Sequence, residues 1–245
     1  MNDFYWIFGW SAAFLIGMAK SGIKGLGPFY VLLMSQIFGS KASTGIIVPL
    51  FVFGDLFAVI YYNRHTRWTY LWKLLPWMAL GVLLGTWLGK DLPEEIFRQI
   101  MASLILLTVI GLFWWDRRKT QPIPNQWWFA AAIGIIAGVT TMVGNLAGAF
   151  TTIFFLAVRL PKNEFIGTAA WLYFIINILK LFFHTFSWGT VNPESLKIDL
   201  YLLPATILGI ITGVFLVKKI KDDDYRKFIL LVTGLGALWI LLKGN

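Results

Sequence analysis

Long apolar stretches separated by short, mostly basic loops dominate the chain. A helix needs about 20 mostly apolar residues to cross a hydrocarbon core of about 30 Å. Six stretches approach or meet that length: 43–62, 70–89, 95–115, 164–185, 199–217 and 226–242. Two further regions are apolar but broken. The runs 4–18 and 25–38 flank Ala19-Lys20-Ser21-Gly22-Ile23-Lys24, and the runs 127–140 and 146–158 flank Thr141-Met142-Val143-Gly144-Asn145. Each arm is short for a full crossing, so each region is expected to form a re-entrant hairpin or a pair of short helices meeting at depth.

The pattern repeats. Gly17, Gly27 and Lys41 align with Gly138, Gly148 and Lys162 at one constant offset. After a longer connection around residues 187–196, Pro76, Gly81, Gly85, Lys90 and Arg98 align with Pro204, Gly209, Gly213, Lys218 and Arg226 at a second offset. The expected architecture is all-α and membrane-embedded, with a first repeat over residues 1–120 and a second over 121–245. Each half has three full transmembrane helices plus one interrupted pair. The interrupted pair crosses twice or not at all, so each half has odd parity and the second half is expected to be inverted.

Charge sets the orientation. Thirteen of the 21 lysines and arginines fall in 63–73, 117–119, 159–162 and 218–227. Five more, Lys41, Lys90, Arg98, Lys197 and Lys243, fall on the other side. Basic loops stay cytoplasmic, which puts both termini outside, in a bacterial inner membrane. Trp68, Trp72, Trp114, Trp115, Trp127 and Trp128 fall near the inner boundary, and Trp6, Trp10, Trp87, Trp188 and Trp239 near the outer one, where indole rings prefer to sit. The amino-terminus has neither a basic leader region nor a small-residue cleavage site and reads as mature sequence.

Composition narrows the function. Of 245 residues 58% are hydrophobic and 13% charged, against about 25% charged in a soluble domain. The net charge of +9 is spread over loops rather than gathered on one soluble face, which argues against nucleic acid. There are no cysteines and two histidines, His65 and His184, so no metal cluster or cysteine nucleophile is expected, and no cofactor. No arrangement for hydrolysis or phosphate binding is evident, and the reading is not enzymatic. The implied partners are a small anion and the lipid bilayer; a homo-oligomer is compatible with the sequence.

Helices that break inside a bilayer leave amides to be satisfied in a wet cavity, and their restarting N-termini favour an anion. Restarts near Gly25 and Leu146 would aim at such a cavity, with Gly22, Gly25 and Gly27 permitting close backbone approach. Gly81, Gly85, Gly89, Gly209 and Gly213 are assigned to helix packing. Three basic residues belong to neither loop set: Lys20, Lys24 and Lys180. Buried cations usually mark a pathway or a partner. Lys20 and Lys24 would face the anion, with Thr141 and Asn145 as their uncharged counterparts. The alternative is a first arm that crosses fully, leaving both lysines as ordinary anchors. Lys180 either joins the site or snorkels to the outer boundary. Asp55 is the one acid well inside a predicted span, as a counter-ion or as a proton-coupling group. Asn177 lies at similar depth one position off register, as a ligand or a bridge between helices. A carrier and a passive anion channel are both compatible with these residues; a non-transporting subunit is poorly served by loops this short.

The segment Gly17-Met18-Ala19-Lys20-Ser21-Gly22-Ile23-Lys24-Gly25-Leu26-Gly27 resembles the first glycine-rich element of the TauE/SafE family of sulfite and sulfonate exporters. Gly54-Asp55-Leu56-Phe57-Ala58-Val59, Tyr61-Tyr62-Asn63-Arg64-His65 and Leu74-Leu75-Pro76 are similar to that family's next stretch. Gly167-Thr168-Ala169-Ala170, Asn177-Ile178-Leu179-Lys180 and Gly189 are similar to its counterpart in the second half. The resemblance covers essentially the whole chain. The second element, Gly138 to Gly148, departs from the family by being poorer in glycine and lacking a proline that often follows. The resemblance implies transport of small organosulfur or other oxyanions, in either direction.

Overall fold

A computed structural model describes residues 3–117 and 127–221, with 224, 225 and 228. The described residues form α1 (Asp3–Lys20), α2 (Gly27–Phe38), α3 (Ser40–Tyr62), a 3-10 turn (Asn63–His65), α4 (Trp68–Gly89), α5 (Glu94–Arg117), α6 (Trp127–Gly144), α7 (Ala147–Ala157), α8 (Lys162–Phe186) and α9 (Pro193–Lys219). Five described helices are long and apolar enough to cross a membrane: Ser40–His65 (counting the 3-10 turn), Trp68–Gly89, Trp127–Gly144, Lys162–Phe186 and Pro193–Lys219. Apart from Phe228, the expected helix over 226–242, with Trp239 and Lys243, lies outside the described residues, as do Arg118, Lys119, Arg226 and Lys227.

Both interruptions fold back as hairpins. Trp6, near the start of α1, meets Phe38, at the end of α2, with ring centroids 6.5 Å apart. At 1.5 Å per residue, the 18 residues of α1 span about 27 Å and the 12 of α2 about 18 Å. The second region does the same. Phe129, early in α6, stacks on Phe154, late in α7, at 6.1 Å, and the 11 residues of α7 span about 17 Å. Phe154 also meets Tyr70 at the start of α4, at 6.3 Å.

The other helices fix which end each hairpin opens to. Ser40 N–H and the amide of Lys41 donate to the Glu94 carboxylate, and Trp188 Nε1 donates to Thr86 O at 3.0 Å. This gathers the start of α3, the end of α4, the start of α5 and the end of α8 at the end where α1 begins. At the far end Arg67 Nη2 bonds Glu164 Oε1 at 2.5 Å, and Lys162 Nζ donates to Ile220 O at 2.6 Å. The α1–α2 hairpin therefore opens at the first end, and the α6–α7 hairpin at the far end. Their short arms start about 18 and 17 Å in, roughly halfway across a core of about 30 Å.

Each long arm is held by a crossing helix at backbone contact. A Cβ on Gly17 would lie 2.1 Å from Thr206 O, and one on Gly209 2.0 Å from Phe14 O, so α1 and α9 touch main chain to main chain. A Cβ on Gly138 would lie 2.2 Å from Met78 O, and one on Gly81 2.3 Å from Ile135 O, which does the same for α6 and α4. Small residues allow such approach where the bilayer supplies no hydrophobic drive between helices. Pro76 and Pro204 sit inside α4 and α9, where neighbouring helices and local adjustment tolerate them.

Candidate anion site

The two hairpin tips close over a cavity. The end of α1 and start of α2 supply Lys20, Lys24, Gly25, Gly27 and Tyr30, and the end of α6 and start of α7 supply Thr141, Asn145, Ala147, Gly148 and Thr152. Phe51 of α3 and Tyr173 and Asn177 of α8 complete the wall. The cavity volume is about 70 Å³. One water needs about 10–15 Å³ on this measure, so the space suits a compact group of roughly five to seven heavy atoms. Leu26 and Leu146, at the N-caps of α2 and α7, make no side-chain capping bond. Gly27 at the start of α2 and Ala147 and Gly148 at the start of α7 line the cavity, so the positive ends of both helix dipoles border it, an arrangement that favours negative charge. In α2 Pro28 has no N–H, and Phe29 and Tyr30 N–H donate to Leu26 O.

Three buried lysines converge here. Lys20 is 7% exposed, Lys24 8% and Lys180 0%, which removes the reading of Lys20 and Lys24 as ordinary surface anchors. Lys20 Nζ donates to both oxygens of Asp55, at 2.8 and 2.9 Å, and lies 3.8 Å from the centre of the Phe51 ring. Asn177 Nδ2 donates to Asp55 Oδ2 at 2.6 Å. Both carboxylate oxygens are thereby occupied, and Asp55 stands behind Lys20 rather than in the cavity wall. Lys24 Nζ reaches Ala19 O only at 3.4 Å and lies 5.2 Å from the Tyr173 ring.

Lys180 does not snorkel. Its ammonium donates to Asn145 Oδ1 at 2.5 Å and to Thr141 Oγ1 at 3.2 Å. The second hairpin tip covers it, which the position of Lys180 along α8 alone does not convey. Asn145 Nδ2 donates in turn to Thr44 O at 3.3 Å, so Asn145 ties the tip to α3 as well as to α8.

The two breaks differ in length. The first runs over residues 21–26, as expected from the glycines, with Gly22 and Gly25 at φ 121° and 94°. The second is confined to Asn145 and Leu146, because α6 continues to Gly144; Thr141 is helical rather than part of the break. Asn145 makes the turn at φ 57°, a left-handed conformation asparagine tolerates better than most side chains. One asparagine thus replaces the glycines that this segment lacks.

Of the expected residues, Lys20, Lys24, Gly25, Gly27, Thr141, Asn145 and Asn177 line the cavity. Asp55 and Lys180 lie directly behind it, bonded to wall residues. Gly22 does not join them. A Cβ there would lie 2.9 Å from Ile166 Cδ1, and Gly22 O accepts from Tyr225 OH at 2.6 Å, so this glycine packs the far side of the loop.

Aromatic side chains that no charge or break in the sequence singles out form much of the wall: Phe51, Tyr30 and Tyr173. Phe51 precedes Asp55 by four residues and Tyr173 precedes Asn177 by four, one helical turn on the same face. Tyr30 of α2 meets Phe51 edge-on at 5.7 Å. Thr151 of α7 and the Tyr173 hydroxyl share a hydrogen bond. Each hairpin thus sets one short-arm residue against one aromatic ring of a crossing helix.

One protein-family model, described as Sulfite exporter TauE/SafE, matches residues 9–240. No curated protein and no solved structure matches the chain. The matched stretch runs from α1 past α9 and takes in every cavity residue, and the chain belongs to the TauE/SafE family of membrane transporters, the sulfite exporters.

Proposed function

We propose that the protein is a secondary transporter that moves a small sulfur oxyanion, sulfite or a short sulfonate, across the inner membrane through the cavity between the hairpin tips. The observation that carries this reading is the convergence of three buried lysines and two uncapped helix N-termini on a space of about 70 Å³. A cation is repelled by these lysines, and the rings of Phe51, Tyr30 and Tyr173 with Leu26 and Leu146 leave apolar wall for the rest of a small organic anion. Lys20 and Lys24 attract the anion, the backbone at Gly27, Ala147 and Gly148 receives its oxygens, and Thr141, Asn145 and Asn177 orient it. Lys180 adds charge from behind Asn145. Asp55 acts as the counter-ion that holds Lys20 in place and, through Asn177, links α3 to α8.

In this reading residues 1–120 and 121–245 form an inverted repeat. Support comes from the hairpins opening at opposite ends and from the two glycine contacts. Gly17 packs on the helix of Gly209, and Gly138 on the helix of Gly81; the sequence pairs Gly17 with Gly138 and Gly81 with Gly209. Exchanging the halves therefore exchanges the contacts. Loops 63–67 and 159–161 and the end of α9 face the cytoplasm, and the amino-terminus faces outward.

The test is transport of labelled sulfite, sulfate and a short alkyl sulfonate into proteoliposomes, with and without an imposed pH gradient. Gradient-driven accumulation of one of them is the expected result. Uptake that only equilibrates would assign a channel or uniporter instead. A Lys20→Ala protein that inserts normally and transports at the wild-type rate would remove the site assignment.

A further inference from the structure

The charges around the cavity do not balance, and the imbalance has a chemical meaning. Lys20, Lys24 and Lys180 come from three separate elements, and the one carboxylate among them in the described residues, Asp55, is bonded to Lys20 on both oxygens. Lys180 rests on two neutral oxygens, and Lys24 on a carbonyl at 3.4 Å and an aromatic face. Cation–π contact softens the isolation of an ammonium group without neutralising it. Charges removed from water need a partner of opposite sign, or the burial costs more than the contacts return. Held protonated, Lys24 and Lys180 are two positive charges in this small space that lack one.

We infer that, of the anions named above, the site is matched to a divalent oxyanion rather than to a singly charged sulfonate, with Lys24 as the residue that selects two negative charges over one. The inference rests on the anion-carrier reading above. With all three lysines protonated, a dianion brings the sum of Lys20, Lys24, Lys180, Asp55 and ligand to zero, whereas a monoanion leaves one ammonium uncompensated. Lys24 is the selecting group because it lines the cavity and has the weakest protein partner of the three. Size does not discriminate here, since the cavity takes compact oxyanions of either charge.

The experiment compares sulfate and thiosulfate with methanesulfonate and nitrate in proteoliposomes of the whole protein, as direct uptake and as competitors of one labelled anion. Sulfate and thiosulfate carry two charges, and methanesulfonate and nitrate one. The expected result is a preference for the divalent pair of roughly tenfold or more. In Lys24→Gln that ratio collapses toward one, while Lys24→Arg, which keeps the charge, preserves it. A ratio measured within one preparation is independent of expression level, and if Lys24→Gln fails to assemble, the wild-type ratio and the Lys24→Arg protein still decide. Equal transport of both classes by the wild type, or a Lys24→Gln protein with an unchanged ratio, overturns the inference and leaves the carrier reading standing. If no anion is moved or competes, the carrier reading falls and takes this inference with it.

Discussion

Asn177 Nδ2 donates to Asp55 Oδ2 at 2.6 Å across 122 positions of sequence. The bond joins α3 to α8 at the cavity and leaves the Asp55 carboxylate with no oxygen free of a protein partner. Lys20, Asp55 and Asn177 thus act as one unit rather than as three independent ligands, and mutations in it are expected to be non-additive.

Lys20→Ala strands the buried carboxylate of Asp55 and is expected to destabilise the protein by about 3–5 kcal/mol. The double variant Lys20→Met/Asp55→Leu should recover most of that loss while transport stays absent. Thermal unfolding in detergent, with transport measured on the same preparations, checks both parts. A double variant as unstable as Lys20→Ala would show that the pair is not the unit described here.

Gly17→Ala and Gly138→Ala each place a methyl group within 2.1 and 2.2 Å of a neighbouring carbonyl oxygen. Each should cost about 1–3 kcal/mol or more as the helices are forced apart. A Cβ on Gly27 meets its nearest atom, the Tyr30 hydroxyl, at an ordinary 3.6 Å. Gly27→Ala should therefore unfold within about 0.5 kcal/mol of wild type yet transport poorly, because the methyl enters the cavity wall. Equal unfolding temperatures for all three variants would contradict the backbone contacts.

Tyr30→Phe removes a hydroxyl beside the first turn of α2 and changes little of its packing on Phe51. The expected effect is an apparent affinity for the anion weaker by roughly 2- to 10-fold, the size of one neutral hydrogen bond, at unchanged stability. Unaltered affinity would show that the hydroxyl does not reach the substrate.

The chain has no cysteine, so single cysteines report on membrane sidedness without background. Asp91→Cys and Arg64→Cys lie at opposite ends of the described helices. A membrane-impermeant thiol reagent should label the first in intact cells and the second only after permeabilisation. The reverse pattern would invert the orientation, and labelling of both from one side would contradict the helix arrangement.

Much of this site was legible because membrane burial makes charge conspicuous. Lys20, Lys24 and Asp55 interrupt apolar sequence, and the first break follows from the glycines around them. The second break is shorter than the polar run 141–145 suggests, because α6 continues to Gly144. Thr140 satisfies its hydroxyl within α6 by donating to Ile136 O at 2.8 Å, so polar residues near the tip need not end the helix. The fate of Lys180 depends on a tip contributed by another part of the chain, which no local pattern carries. Phe51, Tyr30 and Tyr173 escaped because an aromatic facing a cavity and one facing lipid have the same hydropathy; only their fixed spacing from Asp55 and Asn177 sets two of them apart.

The glycine contacts make the arms of each hairpin mechanically unequal. The long arms, α1 and α6, are clamped main chain to main chain against α9 and α4, where any shift drives backbone into backbone. At Gly27 and Gly148 of the short arms, α2 and α7, a Cβ would meet only side chains, at 3.6 Å or more, which can change rotamer and repack. Stiffness and compliance are thus divided within a single hairpin, and the compliant arms are the ones whose amide ends border the cavity. In the carrier reading proposed above, deformation on loading and release of the anion is expected in those two short arms, with α1 and α6 as fixed rails.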